Sequence, residues 1–236
     1  MIESLRNKRI MIVVAHPDDE LLGLGATLHK LITEYNVTTH VVILGEGITS
    51  RSQNRDLIEW DLELKTHRNN IKFAQEAIGY HTNSIYNFPD NRFDSIDLLD
   101  IIKVIEKEKE NFQPEVIFTH HGGDVNIDHQ RTFEAIITCC RPLKNEKVRT
   151  IITFETPSGT EWRVPTDPRH FLPNVFISVS SNNVDAKIRG MESYEFERRD
   201  YPHPRSPEAL KIQAQRWGIV IGQDFAEAFC LVRSLS

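Results

Sequence analysis

Short apolar runs rich in β-branched residues alternate with longer segments of helical spacing through the first two thirds of the chain. The runs that predict strands lie at residues 10–14, 39–44, 84–88, 116–119 and 149–155. The first of them is typical of a buried strand, and the run at 84–88 predicts only a weak strand. The segments that predict helices lie at residues 21–34, 56–78, 96–111 and 129–140. This alternation indicates parallel crossover units, so we expect an α/β fold with a doubly wound, mostly parallel sheet and helices on both faces.

The alternation loosens after residue 155, where further strands are predicted at 175–179 and 228–232 and helices at 185–197 and 207–218. No repeat, low-complexity tract or Pro/Gly-rich linker divides the 236 residues, a length that suits one domain. We therefore predict a single domain over residues 1–236. Residues 1–155 form its core, and residues 156–236 complete it and contribute to the substrate cleft.

Composition excludes several classes of protein. With 39% hydrophobic and 26% charged residues, the chain is neither disordered, collagenous nor a coiled coil. A formal net charge of −6 does not indicate binding to nucleic acid. The apolar runs are too short to span a membrane. Three cysteines argue against a disulfide framework, so we expect a cytoplasmic protein. Ten histidines suit a nitrogen-and-oxygen metal site better than a thiolate site.

One imidazole and three carboxylates follow the first predicted strand directly, in the sequence Ala-His-Pro-Asp-Asp-Glu at residues 15–20. Ligands of open parallel sheets collect beyond the carboxyl ends of the strands. His16 and Asp19 lie three residues apart in a tight turn, so both can face one point while Asp18 projects to another side. Capping of the next helix explains Glu20 as well as a functional site does. It explains the combination of His16, Asp18 and Asp19 poorly.

A second polar cluster follows the fourth predicted strand. Its residues Asp124, Asn126 and Asp128 alternate like the first half of a calcium loop. That loop needs Gly where His129 stands and Glu where Ala135 stands, so the calcium interpretation fails.

What remains is His129 beside Asp128 at a helix start, facing the same crevice as the first cluster. Two imidazoles and one carboxylate, with water in the fourth position, form a common catalytic zinc set. The candidate metal ligands are therefore His16, Asp19 and His129.

Residues 15–20, paired with the later Asp128–His129, resemble the LmbE/PIG-L family of zinc-dependent N-deacetylases. The likeness spans roughly the first 140 residues and includes residues 45–47, the helix with Arg68 and Gly79, and residues 126–129. It implies a Rossmann-like fold with a single divalent metal, zinc or another, at the carboxyl ends of the strands. It also implies removal of an acyl group, usually acetyl, from an amino-sugar conjugate.

Carried over by position, the resemblance implies that His16, Asp19 and His129 bind the metal and that Asp18 is the general base. Asp128 would orient a neighbouring residue. Where the family commonly has His-Pro-Asp-His, residues 126–129 read Asn-Ile-Asp-His. Asn126 can donate a hydrogen bond to an oxyanion but cannot act as a proton donor. Either Asp18 relays the proton in both directions or another histidine substitutes, and the candidates are His120, His121 and His203.

Substrate contacts are predicted at strand ends and in the C-terminal loops. The candidates are Glu46, Arg68, Asp124, His121, His203 and Arg205. Arg68 matches a helix arginine of the family that often meets substrate, and Arg205 could meet a phosphate or carboxylate. The hydroxyls, acids and indole of residues 154–162 suit a sugar. Ordinary loop structure explains residues 45–51 and 201–206 about as well.

We therefore predict a metal-dependent hydrolase of carbohydrate metabolism that removes an N-acetyl or other N-acyl group from an amino sugar, free or linked to a nucleotide or carrier. Metal-activated water attacks, with Asp18 as general base. One alternative is an amidase acting on a different N-acyl substrate. Another is a catalytically silent sugar- or nucleotide-binding module, which Asn126 supports and Asp18 opposes. The sequence leaves open whether the protein is a homo-oligomer.

Overall fold

A seven-stranded sheet forms the centre of the computed structural model, which describes residues 1–235. The strands are β1 (Arg9–Val14), β2 (Thr38–Gly45), β3 (Thr82–Phe88), β4 (Val116–His120), β5 (Thr150–Phe154), β6 (Val175–Ser178) and β7 (Ala226–Ser234). Their order across the sheet is β3-β2-β1-β4-β5-β7-β6. The first five strands pair in parallel, and β7 runs antiparallel to both of its neighbours, so the predicted mostly parallel sheet is confirmed.

Helices cover both faces of this sheet, as the sequence predicts. They are α1 (Asp19–Tyr35), α2 (Asp61–Ile78), α3 (Leu98–Phe112), α4 (Ile127–Cys139), α5 (Ser181–Glu192) and α6 (Pro207–Ile221). Alternate side chains of the central strand β1 enter two apolar cores: Ile10 and Ile12 pack towards α1, α2 and α5, and Met11 and Val13 pack towards α3 and α4. No helix within residues 1–235 has the length and hydropathy needed to cross a bilayer.

Two predicted helices differ from the observed bounds by more than three residues at one end or both, because local hydrogen bonds set where they begin. The helix predicted at 56–78 begins only at Asp61, since the Asp56 carboxylate accepts the N–H of Ile58 and stabilises a turn before the helix. The helix predicted at 185–197 lies instead at 181–192. Ser180 and Asn183 form a reciprocal capping box that starts it earlier.

A buried ion pair holds the C-terminal part against the helix that follows β1. Lys187 on α5 donates to Glu227 on β7 at 2.7 Å and to the carbonyl of Leu22 on α1 at 2.8 Å. Glu227 also accepts the backbone N–H of Thr27. With every partner hydrogen-bonded, this pair positions α5 and β7 relative to the start of α1, where the candidate site lies.

Candidate metal centre

Three buried side chains meet beyond the carboxyl ends of β1 and β4. Nδ1 of His16 lies 3.5 Å from Oδ2 of Asp19, and Nε2 of His129 lies 3.4 Å from the same oxygen. One potential ligand atom from each residue lies within 4.8 Å of those of the other two. A tetrahedral zinc ion with bonds of about 2.1 Å separates its ligand atoms by about 3.4 Å. The spacing therefore fits such an ion.

A tight turn between β1 and α1 separates the two neighbouring aspartates. Asp18 precedes the first residue of α1 and adopts φ 102°, a backbone conformation that is unusual for a residue other than glycine. The backbone N–H of His16 donates to Asp19, which closes the turn. Gly47 packs against this turn, where a Cβ would lie 2.6 Å from the ring of Pro17. Asp19 thus faces the histidines, whereas Asp18 faces the C-terminal part of the chain.

The charge balance of the cluster also suits a cation. Burial disfavours a charged imidazole, yet the carboxylates of Asp19 and Asp124 raise the pKa of His129 to about 9. Nε2 of His129 is buried and has no hydrogen-bond partner among the described residues. The carboxylates therefore require nearby positive charge, which protons can supply and a divalent metal would supply equally well.

Two further carboxylates lie behind the histidines. Asp128 lies 2.8 Å from Nε2 of His16 and accepts the backbone N–H groups of Asn91 and Phe93. Asp124 lies 3.1 Å from Nδ1 of His129. Each carboxylate contacts one ring nitrogen of its histidine, and the second ring nitrogen of that histidine faces Asp19. This is the arrangement by which carboxylates orient metal-binding histidines.

Asp18 has a different electrostatic environment. Its carboxylate accepts a hydrogen bond from Arg205 at 2.9 Å, and Arg205 also binds Glu197 and the hydroxyl of Ser158. Burial raises the pKa of Asp18 well above its usual value, with Arg205 opposing the shift and the carboxylate of Asp19 adding to it. A higher pKa makes a carboxylate a stronger base, which suits the role predicted for Asp18.

A cavity of about 300 Å³ opens beside these residues. Of the residues singled out in the sequence, it is lined by His16, Asp18, Asn126, His203 and Arg205. Asp19, Asp128 and His129 are buried behind that lining. The cavity therefore gives a ligand access to the candidate base and to the outer edge of the metal cluster.

Four residues predicted to contact substrate do not line this cavity. Glu46 accepts two hydrogen bonds from Arg55, and Arg68 donates to the side chain of Asn87. Asp124 is buried behind His129, and His121 directs Nε2 to the carbonyl of Arg169. Their positions at strand ends and on α2 are as predicted, but their side chains have other partners. The structure gives no support for substrate contact by these four.

Comparison with known proteins agrees with this geometry. Residues 11–140 match the PIG-L family model, whose description is GlcNAc-PI de-N-acetylase. The chain belongs to the PIG-L family. This confirms the resemblance carried by residues 15–20 and 126–129, and the matched range contains every candidate metal ligand.

Relatives of this PIG-L family chain have more than one described activity. The uncharacterized deacetylase YaiS from Escherichia coli is 28% identical over 198 residues, which cover 81% of this chain and 94% of YaiS. The N,N'-diacetylchitobiose deacetylase from Pyrococcus horikoshii has a TM-score of 0.71 at 18% identity, with 96% of this chain and 84% of that one covered. GalB, the 4-carboxy-2-hydroxymuconate hydratase from Pseudomonas putida, has a TM-score of 0.65 at 18% identity, with 97% and 98% covered. The fold therefore does not by itself specify the reaction.

His120, one of the three histidines considered as a substitute for the role of Asn126, has other partners in the structure. It is fully buried, its Nε2 accepts the backbone N–H of Ala15, and its Nδ1 lies 3.1 Å from the hydroxyl of Thr156. Its ring stacks on that of His129 with centroids 3.8 Å apart. Both nitrogens are engaged, so His120 supports the fold around the cluster.

His203 is the only one of the three candidate histidines that lines the cavity within the described residues. Its Nδ1 accepts the backbone N–H of Arg205, so the neutral ring carries its proton on Nε2. Asn126 is less available. Its Oδ1 caps α4 by accepting the N–H of Asp128, and its Nδ2 donates to Asn91.

Asp90 and Glu197 line the cavity but were not predicted. Asp90 follows β3 and lies 3.3 Å from Nε2 of His16, so its position just after a strand is the sequence signal that points to it. Glu197 lies in the loop after α5 and binds both Arg51 and Arg205. No local sequence signal points to it, because both contacts depend on the tertiary fold.

A side chain at Gly159 is expected to weaken metal binding although Gly159 contacts no candidate ligand. A Cβ there would lie 2.8 Å from Oδ1 of Asp124, so Gly159→Ala should displace this carboxylate from His129. We expect Zn²⁺ to bind about 10- to 100-fold more weakly, measured by competition with a chelating dye. Thr160→Ser retains the hydroxyl that donates to Asp124 and is the matched control. An unchanged dissociation constant in Gly159→Ala would show that Asp124 does not support the metal.

Proposed function

We propose that this chain is a zinc-dependent hydrolase that removes the N-acetyl group, or another N-acyl group, from an amino-sugar substrate. The observation that carries the proposal is the buried group of His16, Asp19 and His129 with zinc-like spacing, next to the separately held carboxylate of Asp18. Membership of the PIG-L family and the similarity to YaiS support deacetylation over other hydrolytic reactions. Two nitrogen ligands and one oxygen ligand suit zinc, although other divalent ions accept the same set.

A zinc ion bound there would polarise the acyl oxygen and lower the pKa of a water molecule beside it. Asp18 accepts the proton that this water loses on attack. Arg205 holds the carboxylate of Asp18 in place, and its guanidinium also pairs with Glu197. Asp18 then passes the proton to the amine as the C–N bond breaks, which completes the transfer without a second acid.

His203 donates a hydrogen bond from Nε2 to the developing oxyanion, the role that the sequence assigned to Asn126 or a histidine. Asn126 keeps one uncommitted amide N–H, because the other donates to Asn91. Donors of this kind typically contribute about 3 kcal/mol to stabilising the transition state. Asp128 acts only through His16, which it orients.

The proposal is tested by measuring acetate release from a panel of N-acetylated sugars, nucleotide sugars and glycosides, with and without a chelator. We expect at least one member to be hydrolysed, the activity to be lost with chelator, and zinc to restore it. Release from non-sugar N-acyl amines alone would favour the amidase alternative. Stoichiometric sugar binding by zinc-loaded protein without any acetate release would favour the silent binding module.

A further inference from the structure

We propose that Trp162 is the platform for a second sugar ring, so that the substrate of this site is a disaccharide or longer saccharide. The inference rests on the proposed function, because it assumes that an amino sugar presents its acetamido group to His16 and Asp18. The indole lies in the short 3-10 helix Thr160–Trp162 and lines the cavity.

The position of the indole favours contact with the second sugar ring over contact with the first. Trp162 is 56% exposed, whereas His16 and Asp18 are 8% and 2% exposed. A sugar whose acetamido group reaches those two residues occupies the depth of the cavity. A side chain at the rim meets the part of the substrate that extends outward, which in a glycan is the adjoining ring.

The chemistry of the lining favours a sugar over an alkyl chain. Most of the side chains that line the same cavity are charged or polar, among them Arg51, Asp90, Asn91 and Arg199. Such groups can hydrogen-bond sugar hydroxyls, while one aromatic face packs against the C–H face of a pyranose. An alkyl aglycone would require a continuous apolar wall, and Pro17 is the only other large apolar side chain among the lining residues.

The segment that carries the indole is anchored to the metal cluster. Thr160 donates its hydroxyl to Asp124 at 2.6 Å, and Arg163 donates to the carbonyls of Gly123 and Asp124. Trp162 stands between these two anchors. The backbone that carries the indole is therefore fixed relative to Asp124, the carboxylate behind His129, which favours a binding platform at this position.

The test compares kcat/KM for N,N'-diacetylchitobiose with that for N-acetylglucosamine. In Trp162→Ala we expect the disaccharide-to-monosaccharide ratio to fall about tenfold, a loss typical of one aromatic contact, and in Trp162→Phe to fall much less. Val164→Ala, which removes an exposed side chain two residues away outside the cavity lining, is the matched control and should keep the ratio. An unchanged ratio in Trp162→Ala would overturn the proposal.

Two further measurements separate the alternatives. An octyl glycoside of N-acetylglucosamine should lose no more kcat/KM than the monosaccharide in Trp162→Ala, and a selective loss there would assign the indole to an apolar aglycone instead. Binding is followed independently in zinc-loaded Asp18→Asn, where N,N'-diacetylchitobiose should change tryptophan fluorescence and the added Trp162→Phe should abolish the change. That titration remains informative if no deacetylation occurs, so failure of the proposed activity and failure of the platform are distinguishable.

Discussion

Asp18→Asn is expected to lower kcat for acetate release by about 10²- to 10⁴-fold while one zinc ion per chain remains bound. The amide keeps the size of the side chain but cannot accept the proton of the attacking water. Zinc should stay because Asp18 faces Arg205, whereas the candidate ligands face one another on the other side of the turn. Acetate release and metal content are measured on the same preparation.

The matched control is Asp94→Asn, the same carboxylate-to-amide change at an exposed position in the short 3-10 helix before α3. It should keep both turnover and zinc. Wild-type turnover in Asp18→Asn would show that Asp18 is not the general base. Loss of zinc together with turnover would instead place Asp18 among the metal ligands.

Asp19→Ala and His129→Ala are expected to weaken zinc binding by more than about 100-fold, a larger effect than removal of a supporting carboxylate. Each change removes one of three donor atoms. Asp19→Ala also removes the carboxylate that lies between the two candidate histidine ligands. Equilibrium dialysis with atomic spectroscopy gives the affinity, and circular dichroism confirms that each variant is folded.

His203→Phe, which removes the Nε2 donor and keeps a planar ring, is the comparison variant for these two. It lines the cavity but lies outside the ligand group, so zinc affinity should match that of the wild type while kcat falls. If both alanine variants retained one tightly bound zinc ion, the metal would have to lie elsewhere. The group of His16, Asp90 and Asp128, which also has ligand spacing, would then be the next site to test.

The candidate metal ligands could be predicted because two local patterns converge. His16 and Asp19 follow β1, His129 follows β4, and these strands are neighbours in a parallel sheet. Placement at the carboxyl end of a strand therefore implied proximity without knowledge of the rest of the fold.

Glu46 also lies at a strand end, but a strand end does not determine which partner a side chain finds. Arg55, nine residues later, neutralises it away from the cavity. The contacts of Asp18 could not be predicted from the sequence for a different reason. Arg205 lies 187 positions away, and only the packing of the C-terminal helices brings its guanidinium to the base.

The candidate metal ligands and much of the cavity wall come from different parts of the chain, which bears on how related sequences diverge. Every candidate metal ligand and both supporting carboxylates lie within residues 11–140, the range that matches the family. Much of the cavity wall comes from residues beyond it, namely Ser158, Trp162, Glu197, Arg199, His203 and Arg205. Substitutions after residue 155 can therefore change the shape of the cavity while the candidate metal ligands remain intact.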